Sequence, residues 1–134
     1  MNTLDENEQQ EMYKENIIDH YQHPRNKKVL VTATHQAQVM NPLCSDEITV
    51  YLEVNEDKII DVSFEGRGCA ISQASISLLT QKLKGMQIDE AAALIPCDVH
   101  ALLSIPLSYS RRKCAFLSLE ALQQALKSPL EECL

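Results

Sequence analysis

The chain has 134 residues, enough for one domain spanning 1–134 with a core that needs no staples. Its net charge is −7 and its longest basic run is Arg111-Arg112-Lys113, which argues against nucleic acid as the main partner. No apolar run approaches the roughly 20 residues of a membrane span, and Asp5-Glu6-Asn7-Glu8 is neither a secretory signal nor a basic transit peptide. A soluble, cytoplasmic protein without a membrane partner is expected.

Residues 5–22 read as a helix, with Tyr13, Ile17 and Tyr21 at i, i+4, i+8, Met12 and Ile18 beside them, and Pro24 as its stop. A connector runs from Arg25 to about Leu30, and His35 to Met40 reads as a short strand. Over 47–54, Ile48, Val50, Leu52 and Val54 alternate with polar neighbours. After the turn Asn55-Glu56-Asp57-Lys58, Ile60, Val62 and Phe64 alternate likewise, so the pair predicts a hairpin with one buried face. Residues 70–84 predict a helix ended by Gly85, and 88–95 a short helix closed by Pro96. A turn is expected over Asp98 to Leu103 and a loop over Pro106 to Ser110. The last helix is expected from about Arg112 to Lys127, with Ala115, Leu119, Leu122 and Leu126 on one stripe. With no Trp and 4% aromatics, the core must come from Leu, Ile, Val and Ala. The fold class is α+β: a small antiparallel sheet with helices packed on one face.

Three of the five cysteines sit at element boundaries: Asn41-Pro42-Leu43-Cys44-Ser45-Asp46, Gly66-Arg67-Gly68-Cys69 and Arg111-Arg112-Lys113-Cys114. In extended chain, Cys44 and Asp46 point the same way and can face one metal. Cys69 opens a helix after a glycine-flanked turn, where free N–H groups suit a thiolate. Cys114 is placed near the start of the last helix beside three cations, which suit a thiolate and an acidic partner. Three thiolates and one exchangeable carboxylate make a four-point site for zinc or an iron–sulfur cluster, provided the fold gathers distant loops. A buried cysteine is often only a small hydrophobe. That reading fits Cys97 and Cys133 and fits the other three poorly. His20 and His23 read as caps for helix carbonyls, and His35 lacks ligand context. His100 stays in reserve as a ligand.

The chain resembles the IscU/SufU/NifU N-terminal family of iron–sulfur cluster assembly proteins. The motifs that carry the likeness are Tyr13…Asp19-His20-Tyr21…Pro24-Arg25-Asn26, Asn41 to Ile48, Gly66-Arg67-Gly68-Cys69-Ala70-Ile71-Ser72, and Lys113-Cys114-Ala115. The resemblance implies a three-stranded antiparallel sheet with Cys44, Asp46, Cys69 and Cys114 around zinc, iron or a nascent 2Fe–2S cluster. It implies a cysteine desulfurase as sulfur donor and iron–sulfur acceptor proteins downstream. Lys113 before the last cysteine is SufU-like, and in that branch the cysteine matching Cys44 accepts sulfur. In the IscU branch the acceptor is the cysteine matching Cys114. The 69-to-114 interval is close to the shorter IscU spacing. Ser45 and Lys28 stand where glycines are usual, and Ile105-Pro106-Leu107-Ser108-Tyr109 replaces the chaperone-recognition motif, so Hsp70-type handling is not carried over.

Two other roles are weighed. A structural zinc adaptor would hold an inert metal and transfer no sulfur. A thiol hydrolase would need a Cys/His/Asp arrangement that the sequence does not offer. A scaffold is expected rather than an enzyme, with sulfurtransferase activity alongside a desulfurase left open.

Overall fold

The computed structural model describes residues 6–41 and 46–130, with side chains of the first helix from Lys14 onward. In chain order the elements are α1 (Glu6–Gln22), β1 (His35–Asn41), β2 (Asp46–Asn55), β3 (Lys58–Arg67), α2 (Ala70–Leu83), α3 (Ile88–Ala92), α4 (Pro96–Leu103) and α5 (Tyr109–Leu126). The three strands form an antiparallel sheet in the order β1-β2-β3.

The register explains which face is inside. Ile48 lies between Val39 and Gly66, Val50 between Ala37 and Phe64, and Leu52 between His35 and Val62. Directly opposed residues share a face, so these apolar side chains form one layer, covered by α5 and α2. Each fully buried Ile or Leu there contributes roughly 1.5–3 kcal/mol relative to exposure. On the other face the Tyr51 hydroxyl donates to Glu65 Oε1 at 2.6 Å. That bond, and then burial, push the phenol up to about 12.

One strand departs from simple alternation. Glu53 pairs with Asp61 but Val54 pairs with Ile59, so Ile60 is the extra residue of a bulge. Ile59 is fully buried in its place and Ile60 is half exposed. The expected Ile60 position in the core is thereby corrected.

Helix α2 is buried on nearly every side, between α1, α5, α4 and β3. Its hydroxyls satisfy themselves by donating backwards: Ser72 to the Cys69 carbonyl, Ser75 to Ser72 and Thr80 to Ser77. Helix α1 buries Ile17 and His20 against it, while Ile18 and Tyr21 are about half exposed. The expected Ile17–Tyr21 stripe is therefore rotated toward i, i+3. Met12 and Tyr13 have side chains outside the described set.

Both sheet edges carry short cover. Phe64 N–H donates to the Asn26 carbonyl and Lys28 N–H to the Phe64 carbonyl, closing part of the β3 edge. Gln36 N–H donates to the Ser128 carbonyl and Leu130 N–H to the Thr34 carbonyl, closing the start of β1.

Two boundaries differ from expectation. Pro96 opens α4 rather than closing the previous helix, since its missing N–H costs nothing in a first turn. The Asp98 carboxylate accepts the Ile95 N–H there at 2.8 Å. Helix α3 accordingly stops at Ala92, and α4 is a helix, not a turn. Helix α5 begins at Tyr109, inside the expected loop, because Ser108 caps it and accepts the Arg111 N–H.

Candidate metal centre

Asp46 begins β2 opposite Asn41 and is buried, 2% exposed. The turn that brings Cys69 beside it depends on two glycines. Gly66 has φ +143, and a Cβ there would lie 2.1 Å from the Glu47 carbonyl oxygen. At Gly68 a Cβ would lie 2.5 Å from Asp46 Oδ1 and 2.4 Å from Ser72 Oγ, so the space a side chain would take is filled by the carboxylate.

Cys69 is the N-cap of α2 in extended conformation, as expected, but its thiol makes no cap hydrogen bond. Asp46 supplies one from across the turn: Oδ1 accepts the Cys69 N–H at 3.1 Å. The Cys69 thiol faces Oδ2 at 3.9 Å. Carboxylate and cysteine thus form one unit at a helix N-terminus, where negative charge is favoured.

Cys114 joins them from α5, 9% exposed. One ligand atom each from Asp46, Cys69 and Cys114 lies within 4.8 Å of the others. Ligands on a tetrahedral zinc with bonds near 2.3 Å stand about 3.8 Å apart, so a modest closure suffices. Two soft thiol sulfurs and a carboxylate oxygen suit zinc or iron rather than magnesium or calcium.

Cys114 stands near the start of the last helix, as expected. It lies in the second turn of α5, past the free N–H groups of the helix start, and dipole help falls off within the first turn. Two of the neighbouring cations have partners of their own. Lys113 Nζ sits 4.9 Å from the Tyr109 ring centroid, and Arg112 Nε donates to the Leu107 carbonyl.

The fourth predicted ligand, Cys44, and the terminal Cys133 lie outside the described residues. Cys97 is exposed and apart from the cluster. His100 does not join it either, its Nε2 lying 2.8 Å from the Ile105 carbonyl oxygen. His20 is not a carbonyl cap: it is buried with Nδ1 2.8 Å from Ser77 Oγ. Burial and then the Arg25 charge hold its imidazole below the ordinary range, against the pull of Asp19. His35 is also lowered, by burial.

Sequence reasoning missed the surroundings of the centre. A hollow of 410 Å³ is lined by Met40, Asn41, Lys113, Phe116, Leu117 and Glu120, bordering Asp46 through Asn41 and Cys114 through Lys113. Met40 is 63% exposed. The available signal was its place one residue before the Asn41 motif.

A family profile described as NifU-like N terminal domain matches residues 12–131. The chain belongs to this family. Among the relatives of this NifU-like chain is the zinc-dependent sulfurtransferase SufU of Bacillus subtilis (strain 168), 34% identical over 132 residues, covering 86% of this chain and 89% of the relative. Another is the iron-sulfur cluster assembly scaffold protein IscU of Escherichia coli (strain K12), 33% identical, covering 85% and 91%. The crystal structure of a hypothetical protein superposes with TM-score 0.75 at 29% identity, covering 87% and 98%. The N-terminal NifU-like protein of Brucella abortus superposes at 0.70 with 21% identity, covering 86% and 92%, a likeness of fold alone. These relatives are consistent with the expected three-stranded α+β architecture. Among the described residues no helix is long and apolar enough to cross a membrane.

Proposed function

We propose that this chain is an iron–sulfur cluster assembly scaffold that takes sulfur from a cysteine desulfurase and holds iron or a nascent 2Fe–2S cluster for acceptor proteins. The observation that carries the proposal is the convergence of Asp46, Cys69 and Cys114 to within 4.8 Å. Cys44 completes the set as the fourth ligand, two residues before Asp46.

Sulfur arrives as a persulfide on the desulfurase. A thiolate of this chain attacks the outer sulfur, the donor S–S bond breaks, and the desulfurase leaves as a thiolate with no net redox change. Cys44 is the favoured acceptor and Cys114 the alternative. Asp46 is the weakest ligand, so its corner of the site opens most readily. The Cys69 N–H bond to Oδ1 keeps the carboxylate at the site edge while Oδ2 engages or releases. Iron and sulfide are cargo in this reading.

A second reading, a zinc-dependent sulfur shuttle, is favoured by Lys113 before Cys114 and by the likeness to the Bacillus subtilis sulfurtransferase. A bound zinc would order the thiols as thiolates. Asp46→Ala separates the two readings. In a scaffold, an anaerobically reconstituted cluster should live longer in the variant, read by its visible absorption. In a shuttle, the variant should bind zinc less tightly and accept less sulfur, with no cluster in either form. If cluster lifetime, zinc affinity and sulfur uptake all stay unchanged, Asp46 has no part in the mechanism. Labelling with desulfurase and cysteine should place sulfane sulfur on Cys44 or Cys114, and labelling confined to Cys97 or Cys133 overturns that assignment.

A further inference from the structure

Strand β1 is an outer strand of the sheet, and its outer edge is covered only at its start. In an antiparallel ladder each residue turns its N–H and C=O together, alternately toward the neighbouring strand and away from it. Gln36 N–H donates outward to the Ser128 carbonyl, so Gln38 and Met40 turn their backbone groups outward as well. Neither has a hydrogen bond on that side among the described residues, and both residues are exposed. The bare stretch borders the hollow lined by Met40, Asn41, Lys113, Phe116, Leu117 and Glu120. Helix α5 forms the far wall and runs antiparallel to β1. Cys114 meets Asp46 opposite Asn41, and Ser128 follows the helix to reach Gln36.

Free backbone groups spaced in this way are their own complement. We propose that this edge pairs with the same edge of a second copy of this chain, antiparallel about a two-fold axis at Val39. Gln38 of each copy then opposes Met40 of the other. Each such pair exchanges both backbone bonds, so every outward N–H and C=O of the bare stretch is satisfied. The Ser128 cover limits the ladder to this length, because the position at Gln36 is already taken. The helix walls match under the same axis. The two α5 helices run antiparallel, with Phe116 and Leu117 between Lys113 and Glu120, so Lys113 of one copy comes to the side of Glu120 of the other. Both residues are exposed, and Glu120 has no ion pair among the described residues. Half-buried Phe116 and exposed Met40 supply apolar area. A strand from an unrelated protein would find the same backbone groups, but a second copy brings the charge match by symmetry.

The test is sedimentation of the full chain over a concentration series, with reductant and chelator present so that neither a disulfide nor a shared metal joins copies. The mass should rise from one chain to two. Amide exchange at Gln38 and Met40 should slow with it by about tenfold, while Ala37 and Val39, whose groups face β2, stay unchanged. Gln38→Pro removes an outward donor and leaves the β1–β2 ladder intact, so it should weaken dimerisation by about tenfold with the circular dichroism retained. Glu120→Lys should weaken it by about tenfold too, since two attractions become repulsions. Adding Lys113→Glu to that variant should restore most of the loss. A chain still monomeric at about 1 mM overturns the proposal. So does a dimer in which Gln38 and Met40 exchange as fast as in the monomer, or one that neither Gln38→Pro nor Glu120→Lys weakens. Slowed exchange that requires an added cysteine desulfurase, with no dimer, gives the edge to a strand of another protein and overturns it as well.

Discussion

Two polar clusters are built around α2, and their difference separates structure from chemistry. In its middle, His20 Nδ1 meets Ser77 Oγ at 2.8 Å, and that hydroxyl accepts the Arg25 N–H at 2.9 Å. Asn26 donates to Thr80 Oγ1 at 3.0 Å, and Thr80 donates to the Ser77 carbonyl. Donors there meet acceptors, and the network closes on itself to tie α1 and the following loop to α2. Among the described residues around α2, Arg25 Nη1 and Gln73 Nε2 remain buried without a partner. At the N-terminus of α2 the grouping is of another kind: one potential ligand atom each from Asp46, Cys69 and Cys114 lies within 4.8 Å of the others, and the Cys69 N–H steadies the carboxylate. Two sulfurs and a carboxylate so placed are a set that a cation would bind further.

The contrast is broken most directly at Cys69. Cys69→Ser should lower zinc or iron affinity by about a hundredfold or more while leaving the metal-free unfolding midpoint nearly unchanged, read by metal titration and urea denaturation. A variant that binds metal normally removes Cys69 from the ligand set. His20→Ala should do the reverse, costing about 2 kcal/mol of stability through the lost hydrogen bond and the cavity left behind. Its metal affinity should stay unchanged, and a parallel loss of both would merge the two clusters into one.

Gly68→Ala sharpens the boundary between them. The backbone φ at Gly68 lies outside the glycine-favouring range, so the main cost is the clash with Asp46 Oδ1 and Ser72 Oγ. Metal affinity should fall roughly tenfold as the carboxylate is displaced, with secondary structure by circular dichroism retained. Unchanged affinity would show that Asp46 binds from another position. The smallest effect concerns pH. The folded chain holds His20 below its ordinary 6.5, so as pH drops from there the unfolded chain takes up a proton first. The stability that neutral His20 contributes is complete above that value and is lost as pH falls through the folded one. Urea midpoints should show that slope, and His20→Gln should flatten it. An identical slope in the variant would assign it to other groups.

Much of this was legible in the sequence because the signals are local. The alternation of Ile48, Val50 and Leu52 and the glycine-flanked Cys69 at a helix start hold in the structure. What was not legible depends on partners distant in the chain. Ile60 reads as a core residue until the register shift opposite Glu53 and Val54 turns it outward. Pro96 reads equally as a stop or a start, and the Asp98 bond to Ile95 decides for a start. His20 reads as a cap because Ser77, its partner, lies 57 residues away. Asp46 was legible as a candidate ligand from its spacing to Cys44, but its place as surrogate cap of α2 was not, since that bond spans 23 residues.

The cover on the sheet edges sets a condition on synthesis. Asn26 and Lys28 guard β3 from a segment made before the strand itself, so that edge can close as soon as β3 emerges. The start of β1 waits for Ser128 and Leu130, made about ninety residues later, after α5 is complete. Throughout elongation the nascent sheet therefore carries one bare, strand-ready edge, and chaperone protection or aggregation of stalled chains should centre on residues 34–36.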